Sequence, residues 1–443
     1  MKPPLSPRPL TQILKTLKPE ELSIALGCGP LIKERYLHWD QLRHRTPPDG
    51  LSSEAWWAGV KIARAGLLKN LPFLAKHSQP FNFGTPDPVL QVLHKIDRNA
   101  AGKVEMDSQI VSHEDRDRYL VSSLIEEAIT SSQLEGAATT REAAKAMLRS
   151  GRKPRDRSER MVLNNYHVME YIREIKNESL TPELVLELHR IVSTGTLDDP
   201  TAVGRLRNPG EQIHVVDSKR STVLHTPPNS VSLPERLTVL CKFANQSDDS
   251  QPFIHPVIRA ILLHFMLGYD HPFIDGNGRT ARALFYWSMA RQKYWLMEYV
   301  SISRLLRQAP AQYGRAYLYT ETDANDTTYF ILHQVSVIER AIQALYGYLK
   351  LKSTQQRSAE KLLRHSSKFT NQLNHRQIAL LSHALKHPGH GYTVDSHRRS
   401  HKVTQQTSRT DLLKLADLGL LEKIKVGRAF VFYAPEDLKQ RID

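Results

Sequence analysis

Twelve consecutive residues, His271-Pro272-Phe273-Ile274-Asp275-Gly276-Asn277-Gly278-Arg279-Thr280-Ala281-Arg282, hold the densest chemistry in this 443-residue chain. His271 is the side chain there that can take a proton near neutral pH. Asp275 offers one hard oxygen, which suits Mg2+ when phosphates and waters supply the other ligands. Gly276 and Gly278 let the backbone approach an anion closely, and the helix that opens here presents free N–H groups and a positive dipole end. Arg279 and Arg282, three apart, share one face of that helix and can grip further phosphate oxygens. Each feature alone is ordinary: a tight turn, a solvated arginine pair, a structural histidine. Base, metal ligand, anion loop and two cations within twelve residues point to a nucleoside triphosphate site with a general base beside it.

The elements that must position this segment read as amphipathic helices, with an apolar residue every third or fourth position. The pattern predicts helices over Arg118 to Leu134, Arg141 to Leu148, Glu159 to Ile175, Pro182 to Thr194, Leu233 to Phe243, Pro256 to Leu267, Asn277 to Gln292 and Leu332 to Leu351. Thr181-Pro182-Glu183 supplies a cap, a first-turn proline and a first-turn acid. Strand-like alternation is scarce. Between Gly204 and Pro228, Val215-Val216 and Thr222-Val223-Leu224 read as a short hairpin that stops at Pro227-Pro228. Ser150 to Ser158 reads as a basic solvated loop, and Lys352 to Leu373 as a polar linker. Helices near Arg376 to Leu385, Val394 to Ser400 and Gln405 to Leu418, then two strands about Val426-Gly427, follow the order of a winged helix-turn-helix.

Composition excludes several classes. Charged residues make up 24% of the chain and the hydrophobic set 40%, as in a folded globular protein. Cys28 and Cys241 cannot build a disulfide framework, and read as reduced thiols in a cytosolic compartment. The start, MKPPLSPRPLTQ, lacks the apolar core of a signal peptide. No run approaches the ~20 apolar residues of a membrane span. The expectation is a cytoplasmic protein without a membrane partner. Net charge is +15, and 17 Lys+Arg against 8 Asp+Glu place +9 of it between Leu351 and Asp443.

The twelve residues match HPFx[D/E]GNGRxxR, the signature of the Fic (filamentation induced by cAMP) family, at every specified position. The resemblance takes in most of residues 35 to 350, including Phe253-Ile254-His255-Pro256 and the Trp56-Trp57 region, and is strongest over 253–290. It implies a mainly α fold: an N-terminal helical region (1–115), a Fic core with a β-hairpin flap (116–350) led by an inhibitory helix (about 118–136), a linker (351–372) and a winged helix-turn-helix (373–443). It implies transfer of AMP from ATP to a Ser, Thr or Tyr hydroxyl of a protein. On that resemblance His271 deprotonates the hydroxyl, Asp275 holds Mg2+, and Gly276, Asn277 and Gly278 line the anion hole. Arg279 and Arg282 bind the outer phosphates, Arg282 orienting the γ-phosphate, and Phe273 anchors the loop. Ser131-Ser132-Gln133-Leu134-Glu135-Gly136 resembles the family's inhibitory motif [S/T]xxxE[G/N], in which Ser131, Glu135 and Gly136 fill the specified places. Glu135 would pair with Arg282 and hold the enzyme off. It could equally orient a water for AMP removal. Val223, Leu224 and His225 fall where the family's flap docks the target backbone. A homodimeric off state is common among relatives, and some members transfer other phosphate-containing groups.

In the C-terminal unit Arg398, Arg399, His401, Lys402, Arg409, Lys414, Lys423, Lys425 and Arg428 form a basic cluster with the footprint of phosphate-backbone binding. Asp411 and Asp417 on the same helix oppose DNA, so a DNA and a protein partner both remain open for this unit. A DNA-binding transcriptional regulator that uses the nucleotide site as a sensor is the second functional reading.

Overall fold

The computed structural model describes residues 2–76, 78–101, 113–217, 222–247, 249–365, 372–385, 387, 389–401, 403–426 and 429–442. It is mainly helical. The N-terminal region comprises α1 (Leu10–Thr16), α2 (Pro19–Leu26), α3 (Trp39–Leu42), α4 (Ser53–Ala65), β1 (Lys69–Leu74), β2 (Pro80–Phe83) and α5 (Asp87–Ile96). There follow α6 (His113–Leu134), α7 (Arg141–Ser150), α8 (Arg157–Ile175), α9 (Pro182–Ser193), β3 (Val215–Asp217), β4 (Thr222–His225) and α10 (Leu233–Ala244). The central helices are α11 (Pro256–Asp270) and α12 (Asn277–Arg291), followed by α13 (Ile302–Gln308), α14 (Pro310–Thr322) and α15 (Thr328–His365). The last stretch holds α16 (His375–Ala384), β5 (Gly391–Tyr392), α17 (Val394–His401), α18 (Gln405–Asp417), β6 (Glu422–Val426), β7 (Ala429–Tyr433) and α19 (Leu438–Ile442).

Two compact units result, one built from residues 1–104 and 119–343, the other from 105–118 and 344–443. In the first unit α11 and α12 form a helical hairpin packed against α8, α9 and α10. Almost every side chain of both helices is buried, including Ile258, Ile261, Leu262, Leu263 and Phe265 of α11 and Leu284, Phe285 and Trp287 of α12. Burial of such side chains contributes about 1.5–3 kcal/mol each. The segment His271 to Gly276 is therefore the tight connection between two buried helices. Caps set the flanking helices: Thr181 accepts a bond from Leu184 N–H beside Pro182 at the start of α9, and Asp156 accepts from Glu159 N–H at the start of α8.

The hairpin β1–β2 escaped the alternation pattern. Pro72 lies inside β1 and has no N–H to donate, and the ladder becomes irregular between Asn70 and Leu74. Its Phe73 and Phe81 nevertheless pack edge-on against Phe243 of α10 and against Phe265 and Tyr269 of α11. Asn82 then pairs with the turn before α15, through Asn82 N–H to Asn325 O and Thr327 N–H to Asn82 O. The polar stretch 351–372 also differs from expectation. Helix α15 continues to His365, because its residues are good helix formers with no proline or glycine between Leu349 and His365.

In the second unit a three-stranded sheet of order β5-β7-β6 closes over α16, α17 and α18, with a core of Leu380, Leu381, Leu412, Leu415, Leu420 and Phe432. The short strand β5 was missing from the expected pattern, since two residues cannot show a period. Both cysteines are free thiols, and among the described residues no helix is long and apolar enough to cross a membrane.

A buried arginine fastens the N-terminal region to the helices beside the site. Arg64 of α4 donates to Pro30 O, to Leu37 O and to the Tyr329 hydroxyl, and lies 3.5 Å over the Tyr36 ring. Tyr36 and Tyr329 in turn donate to Asp326 and Asp323, and Lys61 pairs with Asp323 at 2.9 Å. Removing one member of such a network strands buried charges. Arg64→Ala is expected to lower unfolding free energy by about 3–5 kcal/mol in urea melts. Arg8→Ala, which breaks the exposed Arg8–Glu54 pair, should cost under about 1 kcal/mol.

Candidate active site

The connection between α11 and α12 is held in an unusual backbone shape. His271 closes α11 in the left-handed region at φ 44°, its N–H bonded to Leu267 O. For a residue with a Cβ that conformation costs on the order of 1 kcal/mol. Arg207 offsets it by donating Nε–H to His271 O at 3.0 Å, a second N–H to Pro228 O, and its backbone N–H to Pro272 O. Phe273 is fully buried and stacks on His189 at 3.7 Å between ring centroids. The His189 ring is pinned at both nitrogens: Nε2–H donates to Asp275 O at 2.9 Å and Nδ1 accepts from Gly204 N–H at 3.2 Å. Burial pushes this imidazole down to about 4, so it stays neutral in that role.

Within this frame the His271 imidazole has a defined tautomer. Its Nδ1 lies 3.0 Å from Gly268 O and must carry the proton, which leaves the Nε2 lone pair as the basic atom. Burial also holds its pKa below the ordinary histidine range, partly countered by the Gly268 carbonyl, so the base form prevails at neutral pH. Asp275 is half exposed, accepts Gly276 N–H at 2.5 Å and stands 3.6 Å from Arg157. Gly276 starts α12 at φ 83°. The first intrahelical bond there is Thr280 N–H to Gly276 O, so the N–H groups of Asn277, Gly278 and Arg279 lead the helix without an intrahelical acceptor, and no side chain caps them.

The side chains are arranged differently from the expected row of phosphate ligands. Asn277 is buried and turned inward, where its amide bonds both Phe273 N–H and Phe273 O; its side chain thus clamps the loop. Arg279 and Arg282 are not on a solvated face, since each is about 1% exposed. Arg279 donates to Val192 O, while its Nε and Nη2 have no hydrogen-bond partner. Arg282 donates Nε–H to Ser131 Oγ at 2.9 Å and Nη2–H to Ser131 O at 3.1 Å. The same Nη2 pairs with Glu135 Oε1 at 2.8 Å, and Nη1 has no partner. Buried guanidinium hydrogens without acceptors are rare, and here they border the helix N-terminus. A Cβ placed on Gly278 would meet Glu135 Oε1 at 2.1 Å and Arg282 Nη1 at 3.1 Å, so the Glu135 carboxylate itself fills the space over Gly278.

Glu135 is presented by the end of α6. Gly136 follows it in the left-handed region at φ 93° and ends the helix. Two contacts lock α6 in place. Glu127, buried one face over, accepts from Ser301 Oγ, Ser303 N–H and Ser303 Oγ at the start of α13. Asn165 of α8 donates to Ser132 Oγ. On the opposite wall β3 and β4 pair antiparallel, with the connecting residues 218–221 outside the described set. Val223 is exposed, and Leu224 lines the cleft. His225 is buried between Glu321 and the Tyr269 carbonyl at 2.7 and 2.8 Å, so it fastens the strand down while Val223 stays outward.

These pieces enclose one cleft, lined among others by Glu135, His271, Asp275, Gly276, Gly278, Leu224, Tyr313, Tyr317 and Glu321, with a cavity volume of about 270 Å3. That is close to the lower end of small-molecule clefts, about 300–1,000 Å3. Among the described residues no group of three His, Cys, Asp or Glu side chains could hold a metal by itself. Asp275 alone at the cleft mouth suits an ion whose other ligands come from a bound phosphate and water.

His189, Arg207, Glu127, Tyr313 and Tyr317 were not singled out from sequence. His189 had a signal, since it falls with Val185, Leu188 and Val192 on the apolar face of α9. Arg207 is one of many arginines and had none.

Comparison with known proteins comes to the same segment. Residues 179–289 match the Fic/DOC family. The chain is 36% identical over 109 residues to the protein adenylyltransferase Fic of Nematostella vectensis, covering 25% of this chain and 22% of that one. It is 33% identical over 119 residues to protein adenylyltransferase fic-1 of Caenorhabditis elegans, covering 27% and 21%. The aligned segment thus spans about a fifth of these relatives' length. A Fic family protein from Desulfovibrio desulfuricans G20 shares the fold, with a TM-score of 0.53 at 17% identity over 79% of this chain and 97% of that one.

Four neutral imidazoles in this unit give a pH signature. Burial pushes His38, His189 and His333 down to about 4 and His264 to about 3, from an ordinary 6.5. Below about pH 6.5 the unfolded chain takes up protons that the native chain refuses, so stability is full above that pH and falls towards pH 4. Urea midpoints should drop steadily from pH 7 to pH 4.5. His189→Gln should make that drop shallower.

Proposed function

From a chain whose residues 179–289 are a Fic/DOC domain, we propose a protein adenylyltransferase that moves AMP from ATP to a Ser, Thr or Tyr hydroxyl of a protein and is held off by Glu135. The observation that carries this reading is the Glu135 carboxylate over Gly278, 2.8 Å from the buried guanidinium of Arg282. A carboxylate and a triphosphate compete for the same fork of donors. With Glu135 displaced, the N–H groups of Asn277, Gly278 and Arg279 and the unpaired hydrogens of Arg279 and Arg282 accept the phosphates. Asp275 would hold Mg2+ together with phosphate oxygens, and the ion would neutralise charge on the leaving diphosphate.

His271 Nε2 takes the proton of the target hydroxyl as its oxygen attacks the α-phosphorus. A new O–P bond forms, the bond from the α-phosphorus to the bridging oxygen breaks, and diphosphate leaves. Arg207, His189 and Asn277 act as positioning residues, fixing the backbone on which His271 and the anion loop sit. The flap residues Val223 and Leu224 offer an exposed strand to the target's backbone. The cleft wall of Tyr313, Tyr317 and Leu224 is apolar enough to take a base.

Incubation of purified protein with ATP labelled on the α-phosphate tests this. Glu135→Gly should raise label transfer to protein at least about tenfold, a barrier change near 1.4 kcal/mol. His271→Ala in the same background should lower it by about 100-fold or more. No His271-dependent label on the protein itself or on lysate proteins sinks the proposal. The competing direction, removal of AMP with Glu135 aligning the water, predicts the reverse sign: Glu135→Gly would then abolish turnover of an AMP-modified protein. Because burial lowers the His271 pKa from 6.5, kcat/KM of the Glu135→Gly protein should stay level down to pH 6.5 and decline only below it.

A further inference from the structure

The second unit carries a surface that the transfer reaction does not use. Its helix α18 buries Ser408, Asp411, Leu412 and Leu415 and exposes Gln405, Gln406, Arg409 and Thr410. Those four occupy the first two turns on one face, at the end where the helix dipole is positive. The acid expected to oppose a polyanion is turned away: Asp411 is 3% exposed, receives hydrogen bonds from Arg376 and Asn374 at 2.7 Å each, and lies 3.3 Å from His397. Asp417 is exposed at the opposite end of the helix. Lys414 is tied to the Gln372 carbonyl and is spent structurally.

Basic groups are exposed on two elements that pack against α18. Arg398 and Arg399 are exposed on α17, which packs on α18 through Ser408 Oγ and Val394 O; Arg398 pairs weakly with exposed Asp395. Lys423 and Lys425 are exposed two apart on β6, with Lys423 over the half-exposed Phe430 ring at 4.3 Å. Glu422 beside them is taken by Arg441. Lys402 and Arg428, named above with this cluster, lie outside the described residues.

From these placements we infer that the C-terminal unit binds duplex DNA, with the N-terminal half of α18 in the major groove and with Arg398, Arg399, Lys423 and Lys425 on flanking phosphates. Gln and Arg are the side chains whose amide and guanidinium forks match the edges of adenine and guanine, and a helix enters the groove by its N-terminal residues. The excess of +9 over residues 351–443 supplies the sequence-independent attraction. An acidic protein would need no such run of exposed amides on the helix, which favours DNA.

The test uses the full chain and a fluorescent random-sequence duplex, followed by anisotropy between about 50 and 200 mM salt. Binding should weaken steeply as salt rises. Replacing Arg398, Arg399, Lys423 and Lys425 together by Ala should make the log–log salt slope shallower by about 3 to 4, at roughly 0.9 per lost phosphate contact. Arg409→Ala should weaken binding to sequences selected from a random pool more than to unselected ones. His271→Ala protein should bind like the native chain, so failure of the transfer reaction leaves this inference standing. Unchanged circular dichroism and melting of the fourfold variant guard against misfolding. Absence of binding at about 50 mM salt overturns the inference, as does a salt slope indifferent to the four substitutions.

Discussion

The guanidinium of Arg282 is the constraint around which this candidate active site is organised. It is buried at the centre of a helical hairpin, and a charge placed there must be met by fixed acceptors. Ser131 meets it twice and Glu135 once, and one nitrogen is left facing the first turn of α12. The end of α6 therefore has to lie where it does. Glu127 on Ser301 and Ser303, and Asn165 on Ser132, hold that helix to the core independently of the arginine. Displacing the Glu135 side chain consequently does not require α6 to leave. Glu135 follows the last helical residue, next to a glycine, and its carboxylate can swing while Ser131 stays on Arg282.

The rest of the first unit keeps the loop between α11 and α12 from relaxing. A histidine with positive φ, a buried phenylalanine and two glycines would not hold one shape in isolation. Arg207, His189 and Asn277 each bond the loop's own carbonyls or amides, so the strain at His271 is borne by three separate elements. Farther out, the Arg64 cluster and the β1–β2 hairpin bind the N-terminal region to the segment from Asp323 to Tyr329, which follows the helix carrying Tyr313 and Tyr317. The wall of the cleft and its floor are thereby built from parts distant in sequence.

Much of this was legible from residue types. The helices show plainly because their apolar faces repeat at three and four, and the segment from His271 to Arg282 stands out because glycines, an acid and a base rarely crowd together by chance. The Glu135–Arg282 pairing could be anticipated only through resemblance, since 147 residues separate the two and nothing local ties them. Burial was the harder quantity. Arg279, Arg282 and Asn277 look like polar surface from their types, yet they are interior because α12 is enclosed on all sides. Pro72 hides hairpin β1–β2 from the alternation pattern, and Asp411, a repulsive surface charge by residue type, is buried and neutralised by Arg376.

The proposed regulation requires Glu135 and the phosphates of a nucleotide to compete for the same donors. Calorimetric titration of ATP into the native and Glu135→Gly proteins measures this directly, with adenosine as the ligand lacking phosphates. ATP affinity should be at least about fivefold higher in the Glu135→Gly protein, a coupling of about 1 kcal/mol, with adenosine affinity unchanged. Equal ATP affinity in the two proteins would contradict it.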